Sequence, residues 1–116
     1  MRLLESHKVK GCVLVSACVT DGGMESERIS GYYSRPWEWA KIKKNAEWIL
    51  QYHSSDDPFI PRSEADEVAT QLENAQVIDG PAAKVSYTCF DDRSHFFDSQ
   101  SIRHILPDIR RELGLL

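Results

Sequence analysis

The chain of 116 residues, 41% hydrophobic and 28% charged, is long enough for one domain and carries too much apolar content to remain disordered. A formal net charge of −4 argues against nucleic acid or an anionic membrane as its partner, and the longest uncharged apolar run, Gly11 to Val19, is too short to span a bilayer. Cys12, Cys18 and Cys89 form no CxxC pair and are expected as reduced thiols in a cytoplasmic protein, and Met1 to Lys10 lacks the apolar stretch of a secretory signal.

Met1 to Lys8 has the polarity of a helix tail. Val9 to Ala17 is β-branched and nearly continuous in apolar residues, the pattern of a strand covered on both faces in a parallel sheet. Cys18 to Ser34 reads as a long loop with a turn at Gly22-Gly23. Trp37 to Lys44 reads as a short helix that Pro36 can start. Ala46 to His53 is the second strand. Arg62 to Glu73 is an amphipathic helix: Ala65, Val68, Ala69 and Leu72 share one face, and Ser63 is placed to cap it. Gln76 to Ile78 and Lys84 to Phe90 are strand-like, with a turn at Asp79-Gly-Pro81 between them. Ser101 to Leu113 is the last helix, which Pro107 kinks or restarts.

Strands alternating with helices predict an α/β domain: a parallel sheet with helices on its faces. In such folds the loops leaving the carboxyl ends of the strands carry the chemistry. Two of these loops hold a candidate pair. Asp57 lies in the segment after the second strand, in a loop that Pro58 and Pro61 make rigid, and His95 follows the last strand. An acid followed by a histidine is the order in which the second and third members of an α/β-hydrolase triad occur. The acid holds the imidazole in one tautomer, and the imidazole moves the proton of a nucleophile. Read alone, Asp57 fits a turn acid equally well, since Asp-Pro is a common turn pair.

Several stretches together resemble the small serine hydrolases typified by retinoblastoma-binding protein nine. They are Val13-Leu-Val-Ser-Ala17, Gly31-Tyr-Tyr33 with Arg35-Pro-Trp-Glu-Trp39 and Lys41-Ile-Lys43, Ser55-Asp-Asp-Pro-Phe-Ile-Pro61, and His95-Phe96. The resemblance implies a partial α/β-hydrolase fold, a Rossmann-like three-layer sandwich in which residues 1–116 form a single incomplete domain, the C-terminal part. It implies that Asp57 is the triad acid and His95 the triad base. The family's nucleophile sits in a Gly-x-Ser-x-Gly-like turn, and no such turn occurs in these residues. The chain is therefore expected to be a truncated serine hydrolase for small ester or amide substrates, inactive until completed by the missing half. The family places glycine before the histidine where this chain has Ser94, and Asn74 to Thr88 is longer than the family's segment, which implies an extra hairpin.

Ser16, Ser94 and Cys89 are the remaining nucleophiles near strand ends, and none is expected in a strained elbow. Trp37 is the candidate wall of a substrate pocket. Trp48 is expected in the core. His7, His53 and His104 lack metal-ligand spacing, so no metal and no cofactor are expected. The first strand is expected to form an open apolar sheet edge, which offers the alternative reading: a non-catalytic interaction protein with a protein partner at that edge.

Overall fold

A computed structural model describes residues 1–115. The chain opens with a short 3-10 turn, Arg2–Glu5, where a helix tail was expected. Three strands follow: β1 (Val9–Val15), β2 (Ala46–Ser54) and β3 (Lys84–Phe90). They pair in parallel in the order β1-β2-β3, with Val9 opposite Ala46 and Trp48 opposite Lys84. Five helices connect and follow them: α1 (Glu25–Ser30), α2 (Trp39–Lys44), α3 (Arg62–Asn74), α4 (Ser99–Arg103) and α5 (Leu106–Glu112).

The central strand explains the layering. In β2 all residues but Glu47 are buried, so alternate side chains enter two different cores. Ile49 packs with Leu14, Ile42, Val68 and Leu72, beneath α2 and α3. Trp48, Leu50 and Tyr52 pack on the opposite face with Phe96, Ile105 and Ile109 of the last segment. The result is a three-layer α/β arrangement. Among the described residues no helix is long and apolar enough to cross a membrane.

The sequence pattern misplaced several boundaries. β1 ends at Val15 because Ser16 turns into the left-handed region, φ 54°. The helix after Pro36 begins only at Trp39, since Arg35 and Pro36 offer their carbonyls to the Arg2 guanidinium instead. Ser63 does not cap α3; the cap position is Pro61, with no side-chain hydrogen bond. The long loop contains α1, a helix exposed on all sides. No hairpin forms at Gln76 to Ile78. The adjoining backbone is tied to α2: the Lys43 ammonium donates to the Glu73 and Ala75 carbonyls, and the Ala83 N–H donates to the Lys43 carbonyl. The last helix is two, and Pro107 lies in the first turn of the second, where its missing N–H costs nothing.

Candidate active site

β2 delivers its last residues to the carboxyl edge of the sheet and then turns sharply. The Asp57 N–H donates to the Ser54 carbonyl at 3.1 Å, which closes the turn. The Asp57 carboxylate caps its own loop: Oδ1 accepts from the Phe59 and Ile60 N–H groups at 2.8 and 2.9 Å. Pro58 and Pro61 hold the backbone between these contacts extended or turned, so Oδ2 is left facing one direction. That direction is taken by His95, whose Nδ1 lies 2.8 Å away. The Asp57 side chain is fully shielded from solvent, while the His95 side chain is 35% exposed.

The histidine arrives on the loop after β3. Two of its neighbours are in the left-handed region, Ser94 with φ 52° and Phe96 with φ 55°. Each such non-glycine residue costs roughly 1–2 kcal/mol, so the loop needs anchors. Phe96 supplies one, buried in the core against Phe90, Trp48 and Tyr52. The segment before it supplies the other. The Arg93 N–H donates to Ser54 Oγ at 2.9 Å, and the Ser94 N–H donates to Asp56 Oδ1 at 2.9 Å. With Phe96 drawn inward, His95 and Phe97 point outward. Phe59 and Phe97 flank the imidazole with centroids at 5.3 and 5.5 Å.

The charges at the site follow from these contacts. Burial alone would raise the Asp57 carboxyl. The Ile60 N–H, the His95 ring and the Phe59 N–H outweigh it and hold the group below its ordinary value. The Ser54 hydroxyl above all holds Asp56 low as well, against desolvation, with the Ser94 N–H adding to the lowering. An ionised carboxylate only accepts hydrogen bonds, so Nδ1 of His95 carries the proton in the pair. Nε2 of a neutral ring then keeps its lone pair and can accept a proton from an approaching hydroxyl. Beneath the acid loop a second histidine, His53, is fully buried, and neither ring nitrogen makes a well-formed hydrogen bond. Burial pushes its pKa down, so it is a neutral part of the core.

The other candidates are placed around this pair. Ser16, at the end of β1, has its hydroxyl buried toward Asp57 without a well-formed hydrogen bond. Ser16 and Ser94 both occupy left-handed backbone, but neither lies in a strand-to-helix elbow. Cys89 lies in β3 opposite His53. Next to the acid loop an open cleft of about 370 Å³ is lined by Cys18, Met24, Tyr33, Phe59, Ile60 and Glu64, among others. Trp37 stands one ring behind that cleft. It packs edge-on to Tyr33 at 6.2 Å, beneath the Arg2 guanidinium, and its indole N–H donates to the Val19 carbonyl at 3.0 Å. Sequence reasoning reached Asp57 and His95 and missed Tyr33, Phe97 and the Ser54–Asp56 contacts. Ser94 was the available signal, because a non-glycine residue at a glycine position calls for compensating bonds. Among the described residues no group of three or more His, Cys, Asp or Glu is arranged to hold a metal ion.

No family model matches the chain. It is 46% identical over 100 residues to Serine hydrolase RBBP9 from Rattus norvegicus, an alignment covering 86% of this chain and 48% of the relative. The chain thus spans about half the length of that curated relative. Its fold is similar to the crystal structure of the ydeN gene product from B. subtilis, with a TM-score of 0.70 and 17% identity, over 97% of this chain and 58% of that one. At that identity the second likeness speaks to the fold alone. The first, at nearly half of the aligned positions and across both loops that hold Asp57 and His95, speaks to ancestry: the chain belongs to the family of small serine hydrolases typified by RBBP9, with the α/β-hydrolase fold over the part that it spans.

Proposed function

We propose that these residues contribute the acid and base of a Ser-His-Asp hydrolase acting on small ester or amide substrates, with the nucleophile supplied by polypeptide outside them. The observation that carries this reading is the 2.8 Å contact between His95 Nδ1 and the shielded Asp57 carboxylate, at the carboxyl edge of a parallel sheet. In the completed enzyme a serine hydroxyl attacks the substrate carbonyl and gives its proton to His95 Nε2. The imidazolium then protonates the leaving alcohol or amine as the carbonyl–heteroatom bond breaks, which leaves an acyl-enzyme. Water repeats the sequence and frees the acid. Asp57 stays ionised throughout and stabilises the charged ring. The cleft beside Phe59 and Tyr33 takes part of the substrate, and Trp37 backs its wall.

The residues carry no Gly-x-Ser-x-Gly-like turn, so by themselves they lack both the nucleophile and the backbone N–H that follows it in an oxyanion hole. The reading includes a cytoplasmic setting, which rests on three free cysteines. The test is turnover of a p-nitrophenyl ester. A longer polypeptide that includes a nucleophile turn is expected to hydrolyse it and to lose activity with His95→Ala. The 116-residue chain is expected to be inert. Robust turnover by the 116-residue chain, abolished by His95→Ala, would overturn the division of the triad.

One observation favours a second reading, an interaction protein without catalysis. Among the described residues the outer edge of β1 has no neighbour in the sheet, and a groove of about 290 Å³ runs along its carboxyl half between Met1, Tyr32 and Tyr33. A strand from a partner chain can pair there. Light scattering discriminates: concentration-dependent association of the chain supports edge pairing, and a strictly monomeric chain removes it.

A further inference from the structure

The two consecutive aspartates do different work, and only Asp57 touches the imidazole. Asp56 reaches across to the histidine loop. Its Oδ1 accepts from the Ser54 hydroxyl at 2.5 Å and from the Ser94 N–H at 2.9 Å. The Ser54 hydroxyl, fully buried, in turn accepts from the Arg93 N–H at 2.9 Å. The Ser55 N–H donates to the Phe90 carbonyl at 2.8 Å, so the ends of β2 and β3 are already in register where these contacts begin.

Resting on the acid–base reading above, we infer that Asp56 is a positioning residue for His95: with Ser54 it tethers the Arg93–Ser94 backbone, and so fixes where the imidazole meets Asp57. The geometry explains a sequence oddity. Ser94 holds a left-handed backbone, φ 52°, that glycine adopts freely and serine does not. The Asp56 carboxylate grips the N–H of that residue. On the other side of His95 the buried Phe96 ring fixes the second left-handed residue. His95 is therefore held between two anchors, one polar and one apolar, and its ring has one direction left, toward Asp57 Oδ2. Without Asp56 the Ser94 backbone is free to relax to negative φ, which turns the next side chain away.

The same argument makes a glycine at 94 and a carboxylate at 56 interchangeable means to one end. The experiment is nitrogen-15 NMR of the histidine rings in the 116-residue chain, with the backbone amide spectrum recorded alongside to report the sheet. In the unaltered chain the His95 Nδ1–H is expected to give a downfield resonance, and its ring nitrogens to report one tautomer. Asp56→Ala is expected to abolish that resonance and mix the tautomers, with the amide peaks of β2 kept. Asp56→Asn keeps a carbonyl oxygen for Ser94 and is expected to retain the resonance. Adding Ser94→Gly to Asp56→Ala is expected to bring it back. The inference is overturned if Asp56→Ala leaves the resonance intact, or if the double variant keeps its sheet and does not regain it. These readouts need no turnover. Failure of the tether leaves the acid–base reading standing, whereas a completed enzyme indifferent to His95→Ala removes the acid–base reading and leaves the tether.

Discussion

A side chain at Gly11 would collide with Trp48: a Cβ built on the glycine stands 2.1 Å from the indole ring carbons. The two residues are paired across the β1–β2 ladder, and the indole lies flat over the place where β1 has no side chain. This close approach seats the largest side chain of the second core.

Gly11→Ala is therefore expected to destabilise the fold by about 1–3 kcal/mol, the usual range for overpacking a filled core. The indole is buried in the second core, which leaves it little room to swing aside. Trp48→Leu in the same chain makes room and is expected to recover part of the loss, giving a coupling energy of opposite sign to the single effects. Urea unfolding of the two single variants and the double variant checks this. Simple addition of the single effects would mean that the clash is relieved elsewhere.

Asp57→Asn is expected to reverse the tautomer of His95. The asparagine oxygen can keep the Phe59 and Ile60 N–H groups, which turns its NH₂ toward Nδ1. A donor facing Nδ1 pushes the ring proton to Nε2, where it blocks acceptance of another. In a completed enzyme the expected loss is on the order of 10⁴-fold in turnover, the scale of a wrong-tautomer defect in a triad. Ring nitrogen shifts in the 116-residue chain read the same event directly.

The Asp57 carboxyl is held below its ordinary value, so its folded form binds a proton less readily than its unfolded form. Its contribution to stability is complete above the unfolded carboxyl range and is lost as pH falls toward the folded pKa. Unfolding midpoints of the chain are expected to fall between pH 5 and pH 3, and those of Asp57→Asn to fall less over the same interval. Equal slopes would show that the carboxylate adds nothing to folding.

His53 produces a second pH effect, at milder acidity. Its pKa is lowered from 6.5, first by burial, partly offset by the Asp57 charge, the Ile60 carbonyl and Asp66, with Arg62 reinforcing the lowering. The unfolded chain takes up a proton near 6.5 that the folded chain refuses, so stability is full above that value and declines below it. His53→Phe has no proton to gain. Its stability is expected to be flatter than that of the unaltered chain between pH 7 and pH 5, as read by urea unfolding.

Neighbouring phenylalanines on the histidine loop should separate stability from site function. Phe96 is 7% exposed and Phe97 is 68% exposed. Phe96→Ala is expected to cost about 3–5 kcal/mol through the cavity it leaves. Phe97→Ala is expected to stay within about 0.5 kcal/mol, as exposed sites do, while freeing one face of the imidazole. Thermal unfolding and the His95 ring resonances, taken together, test the contrast.

Much of this arrangement was legible in the chain. Continuous apolar runs marked β1 and β2, and β2 is indeed buried on both faces, whereas β1, expected to be covered on both, lies at the sheet edge and is mostly half-buried. Asp57 and His95 stood out because Pro58 and Pro61 announce a rigid loop and because the order matched a known triad. The exposed helix α1 was not legible: no face of Glu25–Ser30 is buried, so it has no hydrophobic period, and an ion pair between Glu25 and Arg28 braces it instead. Ser63 looked like a cap, yet Pro61 holds the cap position, two residues earlier. The Asp56–Ser94 contact joins residues far apart in sequence, and no local pattern encodes it.

The strand pairings also govern the order of events in folding. Val9 meets Ala46, Trp48 meets Lys84, and every pairing is parallel. Among the described residues no hairpin nucleates the sheet locally, so each ladder forms only after a long crossover has closed against chain entropy. Asp57 follows β2, the strand shared by both ladders, and His95 follows β3. Their meeting therefore waits on the β2–β3 ladder, and a chain with only β1 and β2 joined would present the aspartate loop, the open β2 edge and an empty place where the imidazole belongs.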